Sequence, residues 1–255
     1  MKKFYQTEWQ NIKFTDFAQL SSKTLAGSDF YQAFYNELFK RYQHWDQFPL
    51  AWGKEKERCA QFISSRSPQG KILSIGCGLG CIEQHLLVHA PQSDVFIHEV
   101  TPSAWQWIQD KFAEDRKFLG VFPDCMPVVM DFRFDLIYLS AVDYALNDTD
   151  LINLLTSIKP FLDKNGTGGQ CLLISASFQD KPASTIEKCL YFARNIKALF
   201  LELLDHVGLR KQGQFWGWAR TRDEYYSIMK RAGFEHIEDG FICPEKRTQY
   251  WISGR

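Results

Sequence analysis

The ten residues Lys71–Gly80, KILSIGCGLG, constrain this chain more than any others. A largely apolar run ends in Gly76, Gly78 and Gly80. Ile82, Leu86 and Leu87 then fall on one face of a helical pattern that Pro91 stops. That order predicts a buried strand, a glycine turn and a helix. Glycines suit such a turn because a Cβ would keep a ligand off the backbone, and because the turn can require φ > 0. The start of the helix adds unpaired N–H groups that favour a polar ligand.

The spacing of the glycines separates two ligand classes. A dinucleotide turn follows G-x-G-x-x-G, but Cys81 occupies the position of its third glycine here, and the pattern is G-x-G-x-G. Around this turn, strand and helix patterns alternate. DVFIHEV from Asp94, the stretch Lys117 to Phe122, FDLIYLSA from Phe134 and QCLLISAS from Gln170 read as strands. Thr101-Pro102 opens a helix after the second strand, and Asp148 or Thr149 opens another after the fourth. Two last strands, FEHIEDGFI and RTQYWISGR, lie too close in sequence for a parallel crossover and should pair antiparallel. The expected fold class is therefore α/β. Its doubly wound, seven-stranded sheet is mostly parallel and ends in a C-terminal antiparallel hairpin, with N-terminal helices and a helical insertion after strand five.

The 255 residues read as a single domain in four parts. Residues 1–68 form a helical N-terminal cover, with Ser28 or Asp29 capping one helix and a second over Lys54 to Ile63. Residues 69–177 form the ligand-binding core. Residues 178–220 form the helical insertion, with Ser184 and Glu187 as its capping box, and residues 221–255 hold the last helix, opened by a second box of Thr221 and Glu224, and the hairpin.

Taken in order, the glycine turn, Glu99 at the end of the second strand, Asp124-Cys125 after the third and Ser140-Ala141-Val142-Asp143-Tyr144 after the fourth resemble the motifs of class I methyltransferases that use S-adenosylmethionine (SAM). The resemblance covers roughly Lys71 to Ser177, and the terminal hairpin by topology. It implies SAM as cofactor and S-adenosylhomocysteine (SAH) as product. It also implies cofactor binding by Gly76, Cys77, Gly78, Gly80, Glu99, Val100, Asp124, Cys125, Ser140 and Ala141. Glu99 would accept the ribose hydroxyls, and Asp124 the adenine amino group. The segment SAVDYAL lacks the Asn/Asp-Pro-Pro-aromatic loop of enzymes that methylate DNA bases at amino groups.

The acceptor pocket is expected from the parts outside the core, with Tyr31, Tyr35, Trp216 and Arg220 in contact with the acceptor, joined by Tyr144 after the fourth strand. Aromatic faces and a guanidinium suit a sugar, a flat ring or an anion. Asp143 and His206 are the candidates for catalysis, His206 ahead of His44. The expected reaction is in-line methyl transfer to a small-molecule or glycan acceptor, at oxygen. Two other readings stay open: a nicotinamide-dependent oxidoreductase, and a non-catalytic partner subunit that keeps the fold.

The charge balance narrows the partners. Thirty basic and thirty acidic residues give no net charge, which argues against a general nucleic-acid binder. Seven cysteines without C-x-x-C pairs argue against a disulfide framework or a structural zinc site, and no metal is expected. MKKFYQTEWQ lacks the apolar run of a signal peptide, and no stretch reaches membrane-helix length. A cytoplasmic protein is expected, with a homo-oligomer left open.

Overall fold

The described residues of the computed structural model are 2–67, 69–112, 117–118, 133–163, 169–180 and 213–255. The chain opens with three short strands, β1 (Lys2–Gln6), β2 (Glu8–Trp9) and β3 (Ile12–Lys13), followed by helices α1 (Ser28–Arg41) and α2 (Leu50–Arg66). The core then runs β4 (Lys71–Ile75), α3 (Cys81–His89), β5 (Asp94–His98), α4 (Pro102–Phe112), β6 (Lys117–Phe118), β7 (Leu136–Ser140), α5 (Asp148–Ile158) and β8 (Gln170–Ser175). After the break come β9 (Gln214–Ala219), α6 (Arg222–Arg231), β10 (Glu238–Cys243) and β11 (Thr248–Gly254).

The central sheet has the order β10-β11-β8-β7-β4-β5-β6. β4, β5, β6, β7 and β8 are parallel to their neighbours, β11 lies antiparallel on β8, and β10 closes the hairpin antiparallel on β11. The chain builds outward from β4 through β5 to β6, then returns to the other side of β4 with β7. The strand order therefore reverses at β4, and in open parallel sheets that switch point opens a crevice beyond the strand C-termini.

Side chains alternate across the sheet as period-two strands require. Leu73, Ile75, Ile137 and Leu139 pack on one face with Leu151, Leu155 and Ile158 of α5 and Tyr225, Ile228 and Met229 of α6. Ile72, Leu136, Tyr138 and Leu172 pack on the other face with Cys59, Ala60 and Ile63 of α2, Ile82 and Leu86 of α3, and Trp107, Ile108 and Phe112 of α4. A third cluster, mostly aromatic, joins Phe14, Phe34, Tyr35, Leu38, Tyr42 and Phe48 to Trp216.

The N-terminal region corrects the helical expectation. β1 pairs antiparallel with β9, from Lys2 opposite Ala219 to Gln6 opposite Gln214, with a bulge between Phe4 and Tyr5. QFWGWA, expected within a helical insertion, is thus a strand. Residues 181–212, with the capping box expected at Ser184, lie outside the described residues.

At α1 and α5 the caps lie one or two residues before the expected positions. Gly27, with no capping side chain, precedes α1 in place of Ser28 or Asp29. Asn147, whose side chain accepts from the Asp150 N–H at 3.0 Å, caps α5 in place of Asp148 or Thr149. The box of Thr221 and Glu224 opens α6. α2 is longer than its expected span of Lys54 to Ile63.

Candidate functional site

The glycine turn is built as a backbone cradle. Gly76, Gly78 and Gly80 all have positive φ, at 68°, 58° and 69°, a region that favours glycine. A Cβ on Gly76 would lie 2.6 Å from Val142 Cγ2, and one on Gly80 2.6 Å from Ile108 Cδ1. The turn is pinned from both sides. The N–H groups of Gly76 and Cys77 donate to the His98 carbonyl at 3.0 and 3.2 Å. The indole N–H groups of Trp45 and Trp107 donate to the Leu79 carbonyl at 2.7 and 3.1 Å.

Glu99 joins this turn to the end of β5. One carboxylate oxygen accepts from the Gly78 N–H at 2.7 Å, and the other from the N–H groups of Val100 and Thr101 at 2.9 and 2.8 Å. It is buried, while Val100 beside it is half exposed. The carboxylate thus follows the end of β5 and contacts the glycine turn.

A cavity of about 360 Å³ opens at the switch point. Its floor comes from the turn (Gly76, Cys77, Gly78, Leu79) and from Ser140 and Ala141 at the end of β7. Ala141 holds φ at 56°, a left-handed conformation at the foot of the site. Tyr35, Tyr144 and Trp216 stand in the wall, as do Phe4, Gln6 and Trp9 of the N-terminal strands. Trp216 is stacked between Phe14, with centroids 4.9 Å apart, and Tyr144, at 6.0 Å. Trp52, Glu55 and Lys56 of α2 line another side, with Ser74, Glu83 and Tyr138 beneath the turn.

Of the acceptor candidates, Tyr35, Tyr144 and Trp216 line the cavity and Tyr31 packs on Trp216 at 5.3 Å. Burial pushes the Tyr144 hydroxyl up to about 12. Arg220 is a correction. It is fully buried, and its guanidinium donates to Asp148 Oδ1 at 2.8 Å and to the carbonyls of Asp143 and Leu146 at 2.7 and 2.6 Å. Its donors are engaged in fixing the segment after β7, so it does not face an acceptor.

Asp143 is a second correction. It too is fully buried and does not line the cavity. Its Oδ2 accepts from Ser175 Oγ at 2.7 Å, from the Tyr225 hydroxyl and from Ser177 Oγ at 3.4 Å. Burial raises its carboxyl above the ordinary range, and these hydroxyls and Arg220 oppose the rise. The aspartate is a buried junction between β8, α6 and the segment 143–145. Asp124, Cys125 and His206 lie outside the described residues. His44 bonds Lys111 at 3.4 Å on the exposed surface and does not line the cavity.

Sequence reasoning missed Phe4, Gln6 and Trp9, because strands of five and two residues carry too short an alternation to stand out. It also missed Glu83, whose position on the apolar face of α3 was the signal: a carboxylate among Ile82, Leu86 and Leu87 has to be partnered or neutral. Among the described residues no cluster of three His, Cys, Asp or Glu side chains could hold a metal ion. No described helix is long and apolar enough to cross a membrane.

No family model and no curated protein sequence matches the chain. Solved structures do. PigF bound to SAH matches with a TM-score of 0.54 at 17% identity, over 89% of this chain and 58% of its own. Human N-acetylserotonin methyltransferase in complex with SAM matches with a TM-score of 0.56 at 18% identity, over 92% of this chain and 60% of its own. SibL, a SAM-dependent methyltransferase in its apo form, matches with a TM-score of 0.60 at 16% identity, over 96% and 65%. The fold is thus the one these methyltransferases share. The chain spans about three-fifths of the length of the structures it matches.

Proposed function

We propose that this chain is a SAM-dependent methyltransferase acting on a small molecule or a glycan end that presents a flat face. The observation that carries the reading is the junction of Glu99 with a turn of three left-handed glycines, two of which, Gly76 and Gly78, line a cavity at the sheet's switch point. The chemistry of that donor set fits the cofactor: backbone N–H groups and a carboxylate suit a polar nucleoside, and the open floor admits its close approach. Gly76, Cys77, Gly78 and Gly80 would hold it along the backbone. Glu99 would take the ribose hydroxyls, Val100 would pack on the base with Asp124 and Cys125 near its edge, and Ser140 and Ala141 would border the reacting end.

The cofactor supplies a methyl group already activated on a sulfonium. The chain's part is then to align the acceptor, exclude water and manage one proton. Trp9, Tyr35, Tyr144 and Trp216 offer an aromatic wall on which a ring or the apolar face of a sugar can stack. An oxygen acceptor also has to lose its proton. No histidine lines the cavity among the described residues, and a tyrosine hydroxyl near 12 stays protonated at neutral pH. That environment favours an acceptor whose own hydroxyl is acidic, such as a phenol or an enol, over a simple alcohol.

Calorimetric titration tests the reading. SAH should bind with saturable heat and NADH should give none. Glu99→Ala should weaken SAH by the loss of charge-assisted hydrogen bonds, about 2–4 kcal/mol. NADH binding without SAH binding would return the chain to the oxidoreductase class.

A further inference from the structure

One wall of the cavity is built of rings. Phe4 of β1, Trp9 of β2, Tyr35 of α1, Tyr144 and Trp216 of β9 all line it. Tyr144 stacks on Trp216 at 15° and meets Phe4 edge-on at 67°, with centroids 6.0 Å apart in each pair. Trp9 leans on Trp216 at 49°, 6.4 Å away. Planes at these angles turn a corner, so one group in the cavity can lie near several rings. Ring faces carry partial negative charge and attract cations.

The charges around this wall do not oppose a cation. Burial pushes the Tyr35 and Tyr144 hydroxyls up, and the Glu99 carboxylate adds to the rise at both. Among the described residues that line the cavity, Lys56 is the one cation, and it stands on α2 with its ammonium 5.5 Å from the Trp52 ring centroid and Glu55 beside it. The five residues of the ring wall bear no charged side chain, and their only ionisable groups are tyrosine hydroxyls that stay protonated at neutral pH. Among oxygen acceptors such a wall favours an acidic hydroxyl. An acceptor atom with no proton to lose needs no base at all.

We infer that the acceptor is a flat nitrogen heterocycle, methylated on a pyridine-type ring nitrogen to a product whose ring carries the positive charge. The inference rests on the methyltransferase reading and narrows its acceptor. The lone pair of the ring nitrogen forms the new N–C bond as the C–S bond breaks, and the electron pair of that bond stays on sulfur. The positive charge passes from the sulfonium to the heterocycle, and no proton leaves. That charge arrives against Trp9, Tyr144 and Trp216. Their attraction therefore grows along the reaction and favours the transition state over the neutral acceptor.

Three flat probes of similar size test this by calorimetry on the protein saturated with SAH at pH 8: N-methylquinolinium, quinoline and 2-naphthoate. The cation should bind about fivefold tighter than quinoline, and 2-naphthoate should bind weakest. Trp9→Leu should bring the cation to within about twofold of quinoline, while Trp9→Phe, which keeps a ring face, should retain most of the preference. If Trp9→Leu does not fold, the order of the three probes on the wild type decides. Quinoline or 2-naphthoate binding as tightly as the cation, a preference that Trp9→Leu leaves intact, or no binding of any probe to the SAH complex overturns the heterocycle and leaves the methyltransferase reading in place. A wild type that does not bind SAH overturns both.

Discussion

Arg220 shows how a single residue can read one way in sequence and another in the fold. Beside Trp216 and Trp218 it has the composition of a ligand contact. In the structure its donors hold Asp148 and two carbonyls of the segment that follows β7. Removing it would leave a carboxylate and carbonyls without donors, so we expect Arg220→Ala to cost about 3–5 kcal/mol in urea unfolding. Turnover per folded molecule should be unchanged; a lower turnover with stability kept would restore Arg220 as an acceptor contact. Asp143 carries a pH signature as well. Its folded-state carboxyl lies above the unfolded value of about 3.9, chiefly through burial. The stability this contributes is complete below the unfolded value and is lost as pH rises through the folded one. Asp143→Asn has no such proton to lose. The stability of the wild type relative to Asp143→Asn should therefore fall from pH 4 to pH 7, and a constant difference would place the carboxyl in its ordinary range.

At the scale of elements, legibility followed the length of the pattern. β4, β5, β7 and β8 were readable because buried parallel strands are continuous apolar runs, and the glycine turn because its backbone conformation restricts the residue type. The box at Thr221 was readable because both partners are local. The β1–β9 ribbon was not, since its stability comes from partners some 210 residues apart and neither strand is long. Part of the cavity wall escaped with it, because Phe4 and Gln6 enter through that pairing, and Trp9 follows on the two-residue strand β2. Gly217 shows how tightly the ribbon is docked: a Cβ there would meet the Tyr144 carbonyl oxygen at 2.4 Å. Gly217→Ala should destabilise by about 1–3 kcal/mol through overpacking. It should also displace Tyr144 from Trp216, seen as altered tryptophan fluorescence. An unchanged melting temperature and spectrum would mean that the ribbon is free to move away.

The whole molecule divides the work between a sheet whose order reverses at β4 and a cover that the sheet itself does not supply. The core lines the cavity with Gly76, Cys77, Gly78, Ser140, Ala141 and Tyr144, while α1, α2, β1, β2 and β9 add Tyr35, Trp52, Phe4, Trp9 and Trp216. Neutral net charge and a cavity of about 360 Å³ suit a nucleoside donor beside a small acceptor. The most direct test is a crystal structure of the chain grown with SAH. Ligand density should run across Gly76 to Gly80, contact Glu99, and reach the chamber walled by Trp9, Tyr144 and Trp216. Density bound elsewhere on the surface, or none with SAH in large excess, would contradict the assignment of this cavity to methyl transfer.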